Sequence, residues 1–213
     1  ALSSAASDVY KRQILDCPEG ATLVVGHNAK NKEECAKMIH EGRWSEFIRE
    51  VPIRKGDFVS IVPGTVHAIK AGVMLLETQQ NSDITYRVYD YDRLSNGRKR
   101  ELHIEKSIDV INAPASPAQD SIHNFANVRK NKPVLMEKSA YYKVWKLVVE
   151  DGSELQLSRE KDFDSSYLLA SVVAGSGYIN DTAIKKGDHF IVTNECDSLS
   201  FSGDMEIILS AQI

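Results

Sequence analysis

No two cysteines in this chain stand at a C-x-x-C spacing, and the three present, Cys17, Cys35 and Cys196, are odd in number. That usage excludes a zinc knuckle or a disulfide framework and fits free thiols in a reducing cytosol, so a cytoplasmic location is expected. No apolar run approaches the roughly 20 residues that span a bilayer, so the chain reads as soluble, with no membrane partner. A basic surplus is lacking too: 26 Lys and Arg stand against 30 Asp and Glu, a net charge of −4. Nucleic-acid binding rests on clustered excess Lys and Arg, so no nucleic-acid partner is expected. The one basic cluster, Arg98-Lys99-Arg100 after Asn96-Gly97, reads as a solvated hairpin tip. A Gly-rich phosphate loop, a nucleophile elbow and a dinucleotide fingerprint are all missing.

What remains is 213 residues of ordinary globular composition, enough for one substantial core or two small ones. The opening "ALSSAAS" has neither the basic start nor the long apolar stretch of a secretory signal. The next residues, "DVYKRQ" (Asp8 to Gln13), resemble the translation of a transposon-end adapter used in sequencing libraries. Residues 1–13 are therefore expected to be non-native, with the natural protein resuming near Ile14 in a truncated reading frame.

From Ile14 to Gly26, β-branched residues around a Pro-Glu-Gly turn predict two strands. A helical insertion follows over about 31–50. Asn31 opens its first helix, Glu33 and Glu34 suit the positive helix end, and Cys35, Met38 and Ile39 form the apolar face. Trp44, Phe47 and Ile48 form the stripe of a second helix that closes before Val51-Pro52. Beyond Ile53 the period becomes that of strands: "DFVSIV", "GVMLLETQQ", "ITYRVYDYD" and "RELHIEKSIDVI" are β-rich runs separated by turn residues. Short strands at regular spacing indicate an all-β sandwich or barrel. The span 14–112 is expected as one β domain, 113–138 as a linker led by "NAPASPAQDS", and 139–213 as a second, smaller β domain. "RKGDFVSIVPGTVHAI" and "KKGDHFIVTNECDSLSF" share a basic residue, Lys-Gly-Asp and an apolar strand, which suggests one unit used twice.

The chemistry is thinly marked. Zinc sites need three or four N, O or S ligands, yet the six histidines show no H-x-H or H-x-x-x-H pair. His67, at the end of a strand after Pro63-Gly64, is a candidate ligand or a satisfied loop histidine. His103 and Glu105 would share one face of a strand, as ligands or as a solvated cross-strand pair. Glu77, closing the apolar run "GVMLL", is a candidate acid/base or polar substrate contact, or else the partner of a nearby Arg. Arg87, set among tyrosines, would bind phosphate or stabilise an enolate oxygen if held in a cleft, and would be a surface cation if packed on the rings.

"KGDFVSIVPGTVHAI", "LLETQQNSDITYRVYDYDR" and "RELHIEKSIDV", in that order, closely resemble the type I mannose-6-phosphate isomerase family in its Gram-positive form, a likeness that extends from Ile14 to Ile213. The resemblance implies a mainly β fold: a partial cupin-type jelly-roll β-sandwich with a helical insertion, then a second cupin-like lobe. It implies a zinc-dependent aldose–ketose isomerase acting on a sugar phosphate partner, mannose 6-phosphate or fructose 6-phosphate. Carried over by motif, His67 is the metal ligand, Glu77 and Arg87 are catalytic, and Arg93 is substrate-binding near the phosphate. The family's other zinc ligands belong to a Gln-x-His pattern and a Glu-Cys-Trp-like segment that would end just before "ILDCPEG", where neither is found. The chain alone is thus expected to hold zinc poorly and to turn over little substrate. The alternative is a cupin module that binds or senses sugar phosphates without catalysis.

Overall fold

The computed structural model describes residues 2–5, 10–79, 85–91, 93–150 and 154–212, which form two compact units, Ala1–Ala126 and Asn127–Ile213. In the first unit the elements in chain order are β1 (Leu2–Ala5), β2 (Tyr10–Asp16), β3 (Thr22–His27), α1 (Lys32–His40), α2 (Trp44–Phe47) and β4 (Ile48–Pro52). Then come β5 (Asp57–Ile61), β6 (Val66–Ala68), β7 (Met74–Gln79), β8 (Thr85–Tyr89), β9 (Leu94–Ser95), β10 (Arg98–Lys99), α3 (Ile104–Val110) and β11 (Ile122–Asn124).

These strands make two antiparallel sheets, ordered β4-β3-β6-β1-β8 and β11-β5-β2-β7, and a β9-β10 hairpin. Alternation along each strand divides the side chains between two cores. Leu23 and Val25 of β3 join Tyr10, Ile14, Val59 and Ile61 of the second sheet in one cluster. Val24, Val66, Ala68 and Val88 point the other way, onto Cys35, Met38, Ile39 and Phe47 of the helical insertion and onto Ile108. The jelly-roll sandwich with a helical cover expected from the sequence is the architecture observed.

The repeated Lys-Gly-Asp segment has one geometry in both copies. In the first, Arg54 N–H donates to Asp57 Oδ2 at 2.8 Å and Asp57 N–H to the Arg54 carbonyl at 3.1 Å. In the second, Lys185 N–H donates to Asp188 Oδ2 at 2.8 Å and Asp188 N–H to the Lys185 carbonyl at 3.0 Å. The aspartate closes the turn with its own side chain, which is why Asp recurs there.

Two expectations are corrected. "RELHIEKSIDVI" is not a strand: Ile104, Ile108 and Ile111 recur at i, i+4 and i+7, and the segment forms α3, with Ile108 and Ile111 buried. His103 and Glu105 therefore share no strand face. His103 N–H donates to the Arg87 carbonyl at 2.8 Å, while exposed Glu105 lies 3.4 Å from His40. The second helix is a single turn, and Ile48–Pro52 pairs with β3 instead. Edge pairing won over a stripe too short to nucleate more helix.

The stretch 113–138 is divided: β11 pairs with β5 in the first unit, and β12 (Val134–Lys138) pairs with β13 (Tyr142–Val149) in the second. The N-terminal residues expected to be foreign supply β1 and the start of β2, except Ala1 and residues 6–9, which lie outside the described residues. Ladder hydrogen bonds use backbone groups only, so such pairing places no demand on side-chain identity.

The second unit continues with β14 (Glu154–Ser158), α4 (Arg159–Phe163), β15 (Leu168–Ile179), β16 (Thr182–Lys185), β17 (His189–Val192) and β18 (Ser198–Gln212). Long β18 runs beside β15, taking β13 against its later half and β14 against its start. Gly175, at φ +71, lies where a Cβ would come 1.9 Å from the Asp204 carbonyl oxygen, so only glycine lets these strands approach. The core is built from Leu147, Val172, Leu199, Phe201 and Ile207, among others.

Candidate functional site

Gly64 sets the approach to His67. Its φ of +78 suits glycine, and a Cβ there would meet the Val110 carbonyl oxygen at 2.6 Å. Asn112 fastens the same turn, taking its N–H to the Gly64 carbonyl at 3.0 Å and its amide Nδ2 to the Pro63 carbonyl at 2.7 Å. The chain then enters β6, where His67 is buried and points into the space between the sheets. Its Nδ1–H donates to the Thr65 carbonyl at 2.9 Å, which sets the orientation of the ring. A metal-ligating histidine is commonly oriented in this way.

A cavity of about 340 Å³ opens beside it, lined by Ser3, Tyr10, Arg12, His67, Ala68, Ile69, Glu77, Gln79 and Thr85. His67 and Glu77, singled out separately in the sequence, thus face one space. Glu77 arrives from β7, whose register sets it opposite Arg12 of β2. Arg12 Nε donates to Glu77 Oε2 at 2.6 Å, and Arg12 is 5% exposed, so this carboxylate is committed to a buried cation. Tyr10, on the same face of β2, sets its ring 5.2 Å from that of His67.

Arg87 reaches the site's sheet by register. Ser3 of β1 pairs with both His67 and Arg87, so all three face the same way, with His67 and Arg87 two strand spacings, about 9.5 Å, apart. The Arg87 guanidinium does not line the cavity: Nη1 donates to the Glu101 carbonyl at 3.0 Å, and Nε is buried without a partner among the described residues. Arg93 stands apart, bonded to Asp90 rather than to any group of the cavity.

The donor set does not fit a zinc ion. Among the described residues no three of His, Cys, Asp and Glu gather at one point, and His67 has for neighbours a tyrosine and a glutamate already paired with arginine. Zinc needs at least three such ligands. His27 is no substitute: Nε2 donates to the Asn112 carbonyl at 2.9 Å, Nδ1 accepts from Ala29 N–H at 3.1 Å, and the ring stacks on Phe47 at 5.0 Å. Burial, then nearby Arg49 and Lys32, hold its pKa below the ordinary value against the opposing pull of the Asn112 bond. Tyr10 and Arg12 were not foreseen as site residues. Their alternation with Ile14 was the available signal, but only the pairing of β2 with β7 sets Arg12 against Glu77, and only the packing of the two sheets sets Tyr10 against His67.

Comparison with known proteins agrees with the fold. A family model described as "Mannose-6-phosphate isomerase, cupin domain" matches residues 135–212. The mannose-6-phosphate isomerase of Streptococcus mutans serotype c is 41% identical over 206 residues, covering 92% of this chain and 61% of the relative. ManA of Bacillus subtilis strain 168, also named a mannose-6-phosphate isomerase, is 39% identical over 202 residues, covering 92% and 62%. The chain therefore spans about three-fifths of the length of these curated relatives. Among solved structures, the mannose 6-phosphate isomerase of B. subtilis superposes with a TM-score of 0.80 at 30% identity, over 99% of this chain and 70% of that one. A mutant phosphomannose isomerase of Salmonella typhimurium superposes at 0.76 with 11% identity, over 96% and 66%, a likeness of fold alone.

Proposed function

The chain belongs to the mannose-6-phosphate isomerase family, and on that premise we propose that it carries part of the active site of an aldose–ketose isomerase for mannose 6-phosphate and fructose 6-phosphate. The observation that carries the reading is the convergence of His67 and Glu77 on one cavity from two different sheets, with His67 in a sheet row that also holds Arg87. Interconverting the two sugars moves a proton between C1 and C2 through an enediol(ate), which calls for a base, a positive group at the developing oxyanion and a grip on the phosphate. In this reading Glu77 is the acid/base, Arg87 supports the oxyanion and Arg93 anchors the phosphate. His67 is the one zinc ligand that the described residues offer, and no step is assigned to zinc.

As the residues stand, Glu77 is held by Arg12 and is poorly placed to accept a proton. The 213-residue chain by itself is accordingly expected to hold zinc poorly and to turn over little or no substrate. Robust stoichiometric zinc together with isomerase turnover in this chain would sink that reading. A chimera joining Ile14–Ile213 to the N-terminal part of the B. subtilis relative is expected to bind zinc and to isomerise. In that chimera Arg87→Ala should lower kcat by about a hundredfold or more with the fold retained, and a near-normal kcat would reject the catalytic role. That no three of His, Cys, Asp and Glu gather at one point among the described residues favours a second reading, a cupin module that binds sugar phosphate without catalysis. A chimera that binds mannose 6-phosphate but is inactive would select it.

A further inference from the structure

We propose that Asp90 is a positioning residue that holds Arg93 and Arg100 side by side as a two-guanidinium clamp for a phosphoryl group. The inference rests on the isomerase reading in naming that group as the phosphate of a sugar phosphate, and it adds Asp90 and Arg100 to the single arginine foreseen there.

Asp90 follows β8 directly, and its side chain is 5% exposed. Its Oδ1 accepts from Arg93 Nη2 at 2.6 Å and from Arg93 Nε at 3.2 Å. Arg100 closes on the same carboxylate as a fork, with Nε on Oδ2 at 2.6 Å and Nη2 on Oδ1. Arg100 is delivered by the hairpin between β9 and β10, whose turn residues Asn96 and Gly97 have φ of +52 and +76, as a two-residue hairpin turn requires.

The charges do not balance. One carboxylate serves two guanidinium groups, and among the described residues neither arginine makes a salt bridge to a second carboxylate. One unit of positive charge is left over, on groups whose side chains remain 55% and 35% exposed. Two bare guanidinium groups at this separation would repel each other. The shared carboxylate lets them stand together and fixes the plane of each, which is what planar recognition of a phosphoryl group needs. Arg100 foremost, and Arg93 with it, hold the Asp90 carboxyl well below the usual carboxylate range. Asp90 lies three residues along the chain from Arg87, just past the end of β8.

A purely structural role, pinning the hairpin to the end of β8, makes different predictions. The test is calorimetric titration of the whole chain with inorganic phosphate, mannose 6-phosphate and mannose. The two phosphorylated probes should bind in competition and mannose should not bind. Arg93→Gln and Arg100→Gln should each weaken both probes about tenfold, the loss of one charge-assisted contact. Asp90→Asn raises the net charge by one, so simple electrostatics would tighten phosphate binding, whereas loss of positioning should weaken it by a similar factor. Asp90→Glu keeps the charge, displaces the fork and should weaken binding with an unchanged circular dichroism spectrum, which covers the case of an unfolded Asp90→Asn.

Equal or tighter phosphate binding by folded Asp90→Asn or Asp90→Glu overturns the proposal. So does phosphate binding indifferent to both arginine variants, or no phosphate binding by the wild-type chain. An inactive chimera with phosphate binding intact would count against the isomerase reading alone. An active chimera whose phosphate affinity ignores Arg100 and Asp90 would count against the clamp alone.

Discussion

Replacing Phe47 by alanine tests whether the helical insertion is part of the first unit's core or a detachable cover. Phe47 is fully buried, stacks on His27 with ring planes 8° apart, and meets Trp44 edge-on at 6.2 Å. Truncating an enclosed phenylalanine to alanine costs about 3–5 kcal/mol, from lost transfer energy and the cavity left behind. The two ring contacts place this site toward the upper end, since such pairs add about 0.5–1.5 kcal/mol. At a urea slope of about 2 kcal/mol per molar, a 4 kcal/mol loss moves the midpoint by about 2 M. The chain has two tryptophans, Trp44 in the first unit and Trp145 in the second. In a Trp145→Phe background, Trp44 fluorescence therefore reports on the first unit by itself. Phe47→Leu, which keeps most of the apolar volume, should cost about 1–2 kcal/mol. A loss below about 1 kcal/mol for Phe47→Ala, with an unchanged slope, would refute the reasoning, since a fully enclosed ring cannot be removed so cheaply.

The first unit should lose stability as the pH falls from 6.5. Burial holds the folded-state pKa of His27 below that ordinary value, so the unfolded chain takes the proton first. The stabilisation is complete above 6.5 and declines below it, toward the folded-state pKa. Urea midpoints between pH 7.5 and 5.5 measure this, and His27→Gln should flatten the His27 share of the slope. The Cys35 thiol, buried and pushed up to about 11, should resist alkylation in the folded chain, whereas Cys17 and Cys196 are partly exposed. Thiol counting should give two reactive groups before denaturation and three after it, and native labelling of Cys35 would show that its cover opens.

Much of the fold was legible because it rests on local patterns. The β-branched runs, the Asn31 cap with Glu33 and Glu34, and the turn chemistry of both Lys-Gly-Asp segments are set by near neighbours in the chain. In "RELHIEKSIDVI" the β-branched residues favour a strand, whereas the i, i+4, i+7 spacing of Ile104, Ile108 and Ile111 favours the helix that forms. That spacing decides the matter once a sheet face needs covering. His67 and Glu77 were recognisable one at a time, each at the end of an apolar run.

The sequence by itself determined the class of fold, the two β units, the helical insertion and the turn that presents His67. Those features follow from side-chain period and backbone conformation within a few residues. Only the tertiary structure decided what His67 and Glu77 meet. Arg12 lies 65 residues from Glu77 in the chain and Tyr10 lies 57 from His67; strand register brings the first pair together, and the packing of one sheet against the other brings the second. The same holds for Asp90, whose charge reads as one among 30 acidic residues until a hairpin returns Arg100 to it. Local chemistry selects the elements, but an electrostatic balance depends on distances through space, and those exist only once the strands have paired.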